Sequence, residues 1–386
     1  MSNRENLIDI GKGIGSILVI ISHTFFTLKN LKWFAESFHM SFFFILSGMV
    51  MNINKYSFFE YLKKKTKGLL YKYYMFNIIK LIYDQIINNP QKSFKNPEKY
   101  IIYFKKIFWC AFPYFYANWF LMSLYTTQIT LFFFYKLFEK IFYIISKSIN
   151  KKFLNFSKNK ISIYDIFLLF LSFFLFKFGY DFSINEFKKL KRRYIFCMDL
   201  IPINSSLILF GILLKKNKKV FEFLTRWHFC LIYFFLTYYY GYKHSLLAKN
   251  GFSLVLSHLY NFKYYLITSI LGSLFSLSCC RYIKENKLLE YIGKNSIIFY
   301  SFHGYSLKLF EMLCNSLLNI SNYFKKPIIR CLFVNSGAVI HLLFISYIIN
   351  QSFPWIFEFD FLILKLKTIF YNNNHEIKKE KIEKIE

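Results

Sequence analysis

The chain has 386 residues, of which 55% are hydrophobic and 23% are aromatic. A soluble domain cannot hide that much apolar side chain, so the composition excludes an ordinary soluble protein. The formal net charge is +30, but the Lys and Arg residues form short clusters between apolar runs. Because a nucleic-acid protein concentrates its charge on one face or arm, we expect no nucleic-acid partner. The clusters instead fit contact with the anionic headgroups of a lipid bilayer.

Apolar runs long enough to cross a bilayer, about 20 residues each, recur along the whole chain. The sequence therefore predicts an all-α fold, a polytopic transmembrane helix bundle of about ten spans. Residues 1–355 form this domain, and residues 356–386 form a polar cytoplasmic tail. The predicted spans are residues 7–28, 38–54, 69–87, 118–138, 161–178, 195–214, 226–242, 262–281, 295–313 and 328–350.

Basic clusters between the spans predict the orientation of the bundle. The clusters at 63–67, 215–219 and 281–294 favour the cytoplasm by the positive-inside tendency. With ten spans, both termini are then cytoplasmic. The basic cluster at 188–193 would lie outside in the same arrangement. Either the region 161–214 is wrongly divided into spans, or this loop overrides the charge bias.

The first span carries three ionisable residues, Asp9, Lys12 and His23. Ionisable groups inside a membrane helix are costly and are therefore functional candidates. At 100° per residue, His23 lies within about 20° of the azimuth of Lys12 and roughly 16 Å further along the axis. Asp9 is three residues before Lys12 and is placed to pair with it. The alternative is a lysine that snorkels to the interface and a structural histidine.

A second histidine, His39, lies where the second span enters the membrane. The preceding span is antiparallel and carries His23, so the two imidazoles are expected to share a cavity in the outer half of the bundle. On its own, His39 would be interpreted as an interfacial histidine. Ser47 and Gly48 in the same span permit a close approach of another helix.

The segment 9–23, with a basic residue, ten residues and then a histidine, resembles the first helix of acyltransferase family 3. Segment 38–48 and the basic run 63–67 continue the resemblance, although Ser41 and Lys72 stand where the family commonly has proline. Residues 119–121 are similar to the start of the family's fourth span. Residues 293–303 are similar to its late span that ends in histidine.

The resemblance covers residues 9 to 303 and implies an integral membrane O-acyltransferase of the bacterial cytoplasmic (inner) membrane. The implied donor is acetyl-CoA or another acyl-CoA, and the implied acceptor is a glycan or a lipid-linked saccharide. An imidazole suits the base that a sugar hydroxyl needs, and cations suit the donor phosphates. The implied roles are a catalytic His23 with His39 as partner, a donor site of Lys12, Lys64 and Lys67, and cavity positions at Asp9, Trp119 and His303.

Two of these positions also have a simpler interpretation. Trp119 fits an anchor at the membrane interface, and His303 fits a hydrogen-bonded histidine between helices. The 7 Cys residues have no spacing typical of a zinc site and are interpreted as small apolar residues within spans. We therefore expect no metal.

The main alternative function is a membrane transporter that moves a glycan or an acyl group without transferring it. Intramembrane His, Lys and Asp residues also build transport pathways. Transporters usually show paired halves with discontinuous helices, and this sequence shows no such halves. The acceptor glycan and the acyl chain are not specified by the sequence.

The orientation is testable with reporter fusions after residues 67 and 217. Because both positions lie within or beside basic clusters, both reporters are expected to give a cytoplasmic signal. An external signal at either position would contradict the predicted orientation. The lysines at 63–67 could then not bind acyl-CoA, which is found in the cytoplasm.

Overall fold

The structure is a computed structural model that describes residues 3–24, 29–88, 97–110, 118–148, 162–190, 192–247, 254, 259–318 and 326–356. These residues form helices and contain no β-strand, which confirms the predicted all-α class. The predicted tail at 357–386 lies outside the described residues. The helices are α1 (Asn3–His23), α2 (Lys29–Glu36), α3 (His39–Val50), α4 (Phe58–Lys65), α5 (Tyr71–Asn88), α6 (Pro97–Trp109), α7 (Trp119–Ser148), α8 (Ile163–Leu190), α9 (Ile201–Lys216), α10 (Lys218–Leu224), α11 (Trp227–Leu247), α12 (Phe262–Ile283), α13 (Lys287–Lys294), α14 (Ser296–Leu318) and α15 (Pro327–Ser352).

Six helical segments of the described chain are long and apolar enough to cross a membrane, and the bent pair α10 and α11 makes a seventh. These seven correspond to predicted spans. The other three predicted spans coincide with α5, α7 and α14, which have 18, 30 and 23 residues. They are long enough, but no stretch of 18 residues in them is both as apolar and as poor in charged residues. The chain is therefore a multi-pass membrane protein.

Helices α8 and α9 are antiparallel neighbours. At one end Lys216 Nζ lies 2.6 Å from Asp165 Oδ1, and further along Ser172 Oγ donates to the Ser206 carbonyl at 2.9 Å. The basic clusters at 188–193 and 215–219 thus lie at opposite ends of the pair. Two helices therefore occupy the region 161–214, as predicted, but α8 runs to Leu190, beyond the predicted end of its span at 178. Arg193 of this loop is buried and paired with Asp199, which removes one of its charges from the surface.

Helix α1 packs against α13 through backbone atoms. A Cβ on Gly293 would lie 1.8 Å from the Asp9 carbonyl oxygen, and one on Gly13 would lie 2.3 Å from the Leu289 carbonyl oxygen. Only glycine permits this approach, as is common where membrane helices meet. The contact fixes the segment of α1 that carries Asp9 and Lys12.

Helices α3 and α9 cross in the same way at the centre of the bundle. A Cβ on Gly48 would lie 2.1 Å from the Ile208 carbonyl oxygen, and one on Gly211 would lie 2.1 Å from the Ile45 carbonyl oxygen. The close helix approach predicted from Gly48 is present. Both helices are buried along most of their length, whereas α8 exposes apolar side chains outward, as a lipid-facing helix does: Phe170, Phe173, Phe174 and Phe178.

Replacing Gly293 with alanine tests the α1–α13 contact. The added Cβ must displace backbone, so Gly293→Ala is expected to destabilise the protein by about 1–3 kcal/mol. Thermal unfolding in detergent measures this loss. The control is Gly304→Ala on α14, where a Cβ meets nothing within 4 Å. Equal thermal unfolding midpoints for Gly293→Ala and Gly304→Ala would contradict the close contact between α1 and α13.

Candidate active site

Three histidines from three helices meet at one place. His23 ends α1, His39 begins α3 and His303 lies in α14. The ring centroids of His23 and His303 are 4.9 Å apart, and those of His23 and His39 are 6.4 Å apart. His39 and His303 are buried, whereas His23 is exposed. The cluster therefore has one exposed imidazole beside two buried ones.

Backbone carbonyls orient the two buried rings. His39 Nδ1 lies 2.9 Å from the Ala35 carbonyl oxygen, and His303 Nδ1 lies 2.7 Å from the Tyr300 carbonyl oxygen. A carbonyl only accepts, so each Nδ1 carries the proton and donates it. In the neutral ring Nε2 is then the unprotonated nitrogen. Both rings thus keep a nitrogen that can accept a proton.

A buried polar chain joins three helices beside His303. Ser301 Oγ donates to Asn118 Oδ1 at 3.0 Å, and Asn118 Nδ2 donates to Asn77 Oδ1 at 3.3 Å. This connects α14, the residue preceding α7, and α5. Trp119 follows Asn118, is buried, and contacts the Phe120 ring. Its side chain therefore packs against other side chains of the bundle.

The predicted donor lysines lie on a continuous helical segment and on α1. Helix α4 continues through a π-helical turn, Thr66–Leu70, into α5. π-Helical turns are frequent at functional sites, and this one contains Lys67. Lys64 Nζ donates to the Tyr56 hydroxyl at 2.7 Å. On α1, Lys12 Nζ lies 3.1 Å from Asp9 Oδ1, the pairing that their spacing predicts.

Lys65 lies close to Lys64 of its own helix and to Lys12 of α1. Burial, together with the nearby charges of Lys64 and Lys12, lowers the pKa of the Lys65 ammonium to about 8. Lysines of α1 and α4 are therefore close in space. We call the part of the bundle that carries Lys12, Lys64 and Lys65 the lysine end, and the part that carries the three histidines the histidine end.

Two lysines were not predicted as site residues. Lys65 belongs to the basic run at 63–67, and only its burial and its electrostatic interaction with Lys12 of α1 distinguish it from its neighbours. Lys80 of α5 is 4% exposed and lies close enough to His303 for an electrostatic interaction. The sequence alone could have identified Lys80 as a candidate, because a lysine inside a predicted span is costly.

A separate cavity of about 490 Å³ opens between α3, α7, α8 and α9. Its lining includes Tyr135, Tyr164, Lys215 and Lys216. None of the predicted site residues lines it. In the described residues, no group of three or more His, Cys, Asp or Glu side chains is arranged to hold a metal ion.

The sequence model of a family described as an acyltransferase domain, acyltransferase family 3, matches residues 5–364, nearly the whole chain. The chain belongs to this family. It is therefore a membrane-bound acyltransferase. No curated protein and no solved structure matches the chain.

The acyltransferase departs from the family's pattern at Ser41 in α3. Ser41 Oγ donates to Ser269 Oγ at 2.9 Å and lies 3.4 Å from the Tyr265 hydroxyl. A polar contact between α3 and α12 therefore replaces the bend that proline would give. It lies two residues after His39, so it helps to fix the helix that presents this ring.

The lowered pKa of Lys65 predicts an unusual reactivity of its amine. At pH 8, about half of the Lys65 side chains are expected to be neutral, against less than about 1% for a lysine with an ordinary pKa. The rate of competitive amine acetylation, followed by mass spectrometry across pH, should therefore reach its midpoint near pH 8 at Lys65. The matched control is Lys63, an exposed lysine of the same basic run. A midpoint above pH 10 at Lys65 would contradict the lysine cluster.

Proposed function

We propose that the acyltransferase moves an acyl group, acetyl in the first instance, from acyl-CoA to a hydroxyl of a cell-surface glycan or its lipid-linked precursor. Its site of action is the bacterial cytoplasmic membrane, with the lysine end on the cytoplasmic side. The observation that carries the proposal is the meeting of His23, His39 and His303 at a distance from the lysines along α1.

The separation of the two ends suits the shape of the donor. Coenzyme A carries several phosphates at one end and its thioester at the end of a long pantetheine arm. Lys12 and His23 are eleven residues apart on α1, roughly 16 Å along the helix axis. Phosphates bound at the lysine end would leave the thioester to extend toward the histidine end. The lysines supply point charges and not the bidentate contacts that arginine would make.

The chemistry needs a base, since a sugar hydroxyl is a poor nucleophile at neutral pH. In the proposed step the unprotonated ring nitrogen of His23 accepts the hydroxyl proton while the oxygen attacks the thioester carbonyl. The tetrahedral intermediate collapses, and the C–S bond breaks. The leaving thiolate takes the proton from the imidazolium. The products are an O-acyl ester and free coenzyme A.

A related route uses His23 as a transient acyl carrier. Its nitrogen attacks the thioester, coenzyme A leaves, and the acyl-imidazole then acylates the sugar oxygen. One of the two neighbouring imidazoles would accept the hydroxyl proton in that second step. The exposure of His23 and the burial of His39 and His303 favour His23 as the residue that meets the acyl group in both routes.

Neutral replacement of the donor lysines tests the first half of the proposal. The double variant Lys64→Gln, Lys67→Gln is expected to raise the KM for acyl-CoA about tenfold or more with a smaller effect on kcat, because two charge contacts to phosphate are lost. Arginine at both positions should be tolerated. The control is Lys63→Gln in the same basic run. An unchanged KM in the double variant would remove these residues from the donor site.

Replacement of His23 tests the second half. His23→Ala is expected to insert in the membrane and bind acyl-CoA but to lose about a hundred- to ten-thousand-fold in acylation rate, which corresponds to about 3–5 kcal/mol. His23→Gln keeps a hydrogen-bonding side chain without a suitable base and should be equally inactive. The control is His228→Gln, at the exposed start of α11. Near-normal acylation by His23→Gln would assign the chemistry to another residue.

A further inference from the structure

Two pairs of cysteines bring their sulfur atoms close together. The Sγ atoms of Cys110 and Cys197 are 3.7 Å apart, and those of Cys230 and Cys279 are 3.9 Å apart. In both pairs the partners come from different helical segments, 87 and 49 residues apart in the chain. A disulfide bond needs a sulfur separation of about 2.05 Å, so a small movement would close either pair.

The first pair joins two tight turns. Cys110 follows α6 with φ 47°, and Cys197 precedes α9 with φ 54°. Non-glycine residues in this left-handed region persist only where the surroundings hold them. Both side chains are buried, and the Cys197 turn is also held by Thr126 Oγ1, which donates to the Phe196 carbonyl at 3.2 Å. A cross-link here would hold two strained turns against each other.

The two pairs lie at opposite ends of the bundle. The turn at Cys197 begins the segment whose other end is Lys215, which donates to the Met51 carbonyl at 2.6 Å. Met51 follows the end of α3, and His39 begins the same helix at its opposite end. Cys197, at the opposite end from Lys215, is therefore at the histidine end. Cys279 is followed by Arg281, which donates to the Glu222 carbonyl in α10 at 2.7 Å, next to the basic cluster at 215–219. Cys230 and Cys279 therefore belong to the lysine end.

We propose that Cys110 and Cys197 form a disulfide bond in the mature protein, whereas Cys230 and Cys279 stay reduced. The cytoplasm keeps thiols reduced, and the compartment outside the cytoplasmic membrane oxidises them. The proposal rests on the orientation with the lysine end in the cytoplasm and does not depend on acyl transfer. It replaces the interpretation of Cys110 and Cys197 as merely small apolar residues.

The reaction is a thiol–disulfide exchange with an external disulfide oxidant, either a protein or a small molecule. One cysteine thiolate attacks the oxidant's disulfide to give a mixed disulfide and releases the first oxidant thiol. The second cysteine then attacks the mixed disulfide. The Cys110–Cys197 bond forms, and the oxidant leaves as two thiols that carry both electrons and both protons.

The experiment uses the full-length chain in membranes of the expressing cells. Free thiols are blocked with N-ethylmaleimide in denaturant, the sample is reduced, and the newly released thiols are labelled with a maleimide polymer that shifts the band on a gel. The wild type is expected to gain two labels. Cys110→Ala and Cys197→Ala should gain none, and the double control Cys230→Ala, Cys279→Ala should still gain two.

Peptide mapping of the wild type keeps the test independent of variant folding. An unreduced tryptic digest should contain peptide 107–136 joined to peptide 194–215, each with one cysteine of the pair. A His23→Ala protein should contain the same joined peptide, which separates this proposal from the proposed function. Fully free cysteines, or a joined peptide that contains Cys230 and Cys279, would overturn the proposal.

Discussion

The backbone contact between α1 and α13 is the constraint on which the site depends. Gly13 and Gly293 let carbonyl oxygens of the two helices approach more closely than any Cβ allows. From these glycines the chain runs ten further residues to His23 in one segment and ten to His303 in the other, and the two rings meet at 4.9 Å. Since α13 leads directly into α14, the same contact also sets the position of Asp9 and Lys12 relative to the histidines.

Polar side chains inside the bundle complete this arrangement. In a bilayer the hydrophobic effect does not drive helices together, so small residues and interhelical hydrogen bonds contribute much of the specificity. Ser301, Asn118 and Asn77 connect α14, the start of α7 and α5. All three side chains are buried, so these polar contacts lie inside the bundle and not toward lipid.

Much of the fold was predictable from the sequence, because apolar runs and basic clusters follow directly from the bilayer as a solvent. The Asp9–Lys12 pair was equally accessible, since it depends only on spacing within one helix. The meeting of His303 with His23 joins residues 280 positions apart and depends on the glycine contact, which no local pattern reveals. For the same reason Lys65 was not distinguished within its run, and Cys110 was not matched with Cys197.

The central claim is that the acyl group of the donor reaches His23 while the donor's phosphates stay at the lysine end. An acyl-CoA analogue with a photoreactive diazirine at the end of its acyl chain tests it most directly, with the labelled residue identified by mass spectrometry. The account predicts labelling at His23 or on the adjacent His39 and His303, prevented by excess acetyl-CoA. Labelling confined to the cavity lined by Tyr135, Tyr164 and Lys215 would contradict it.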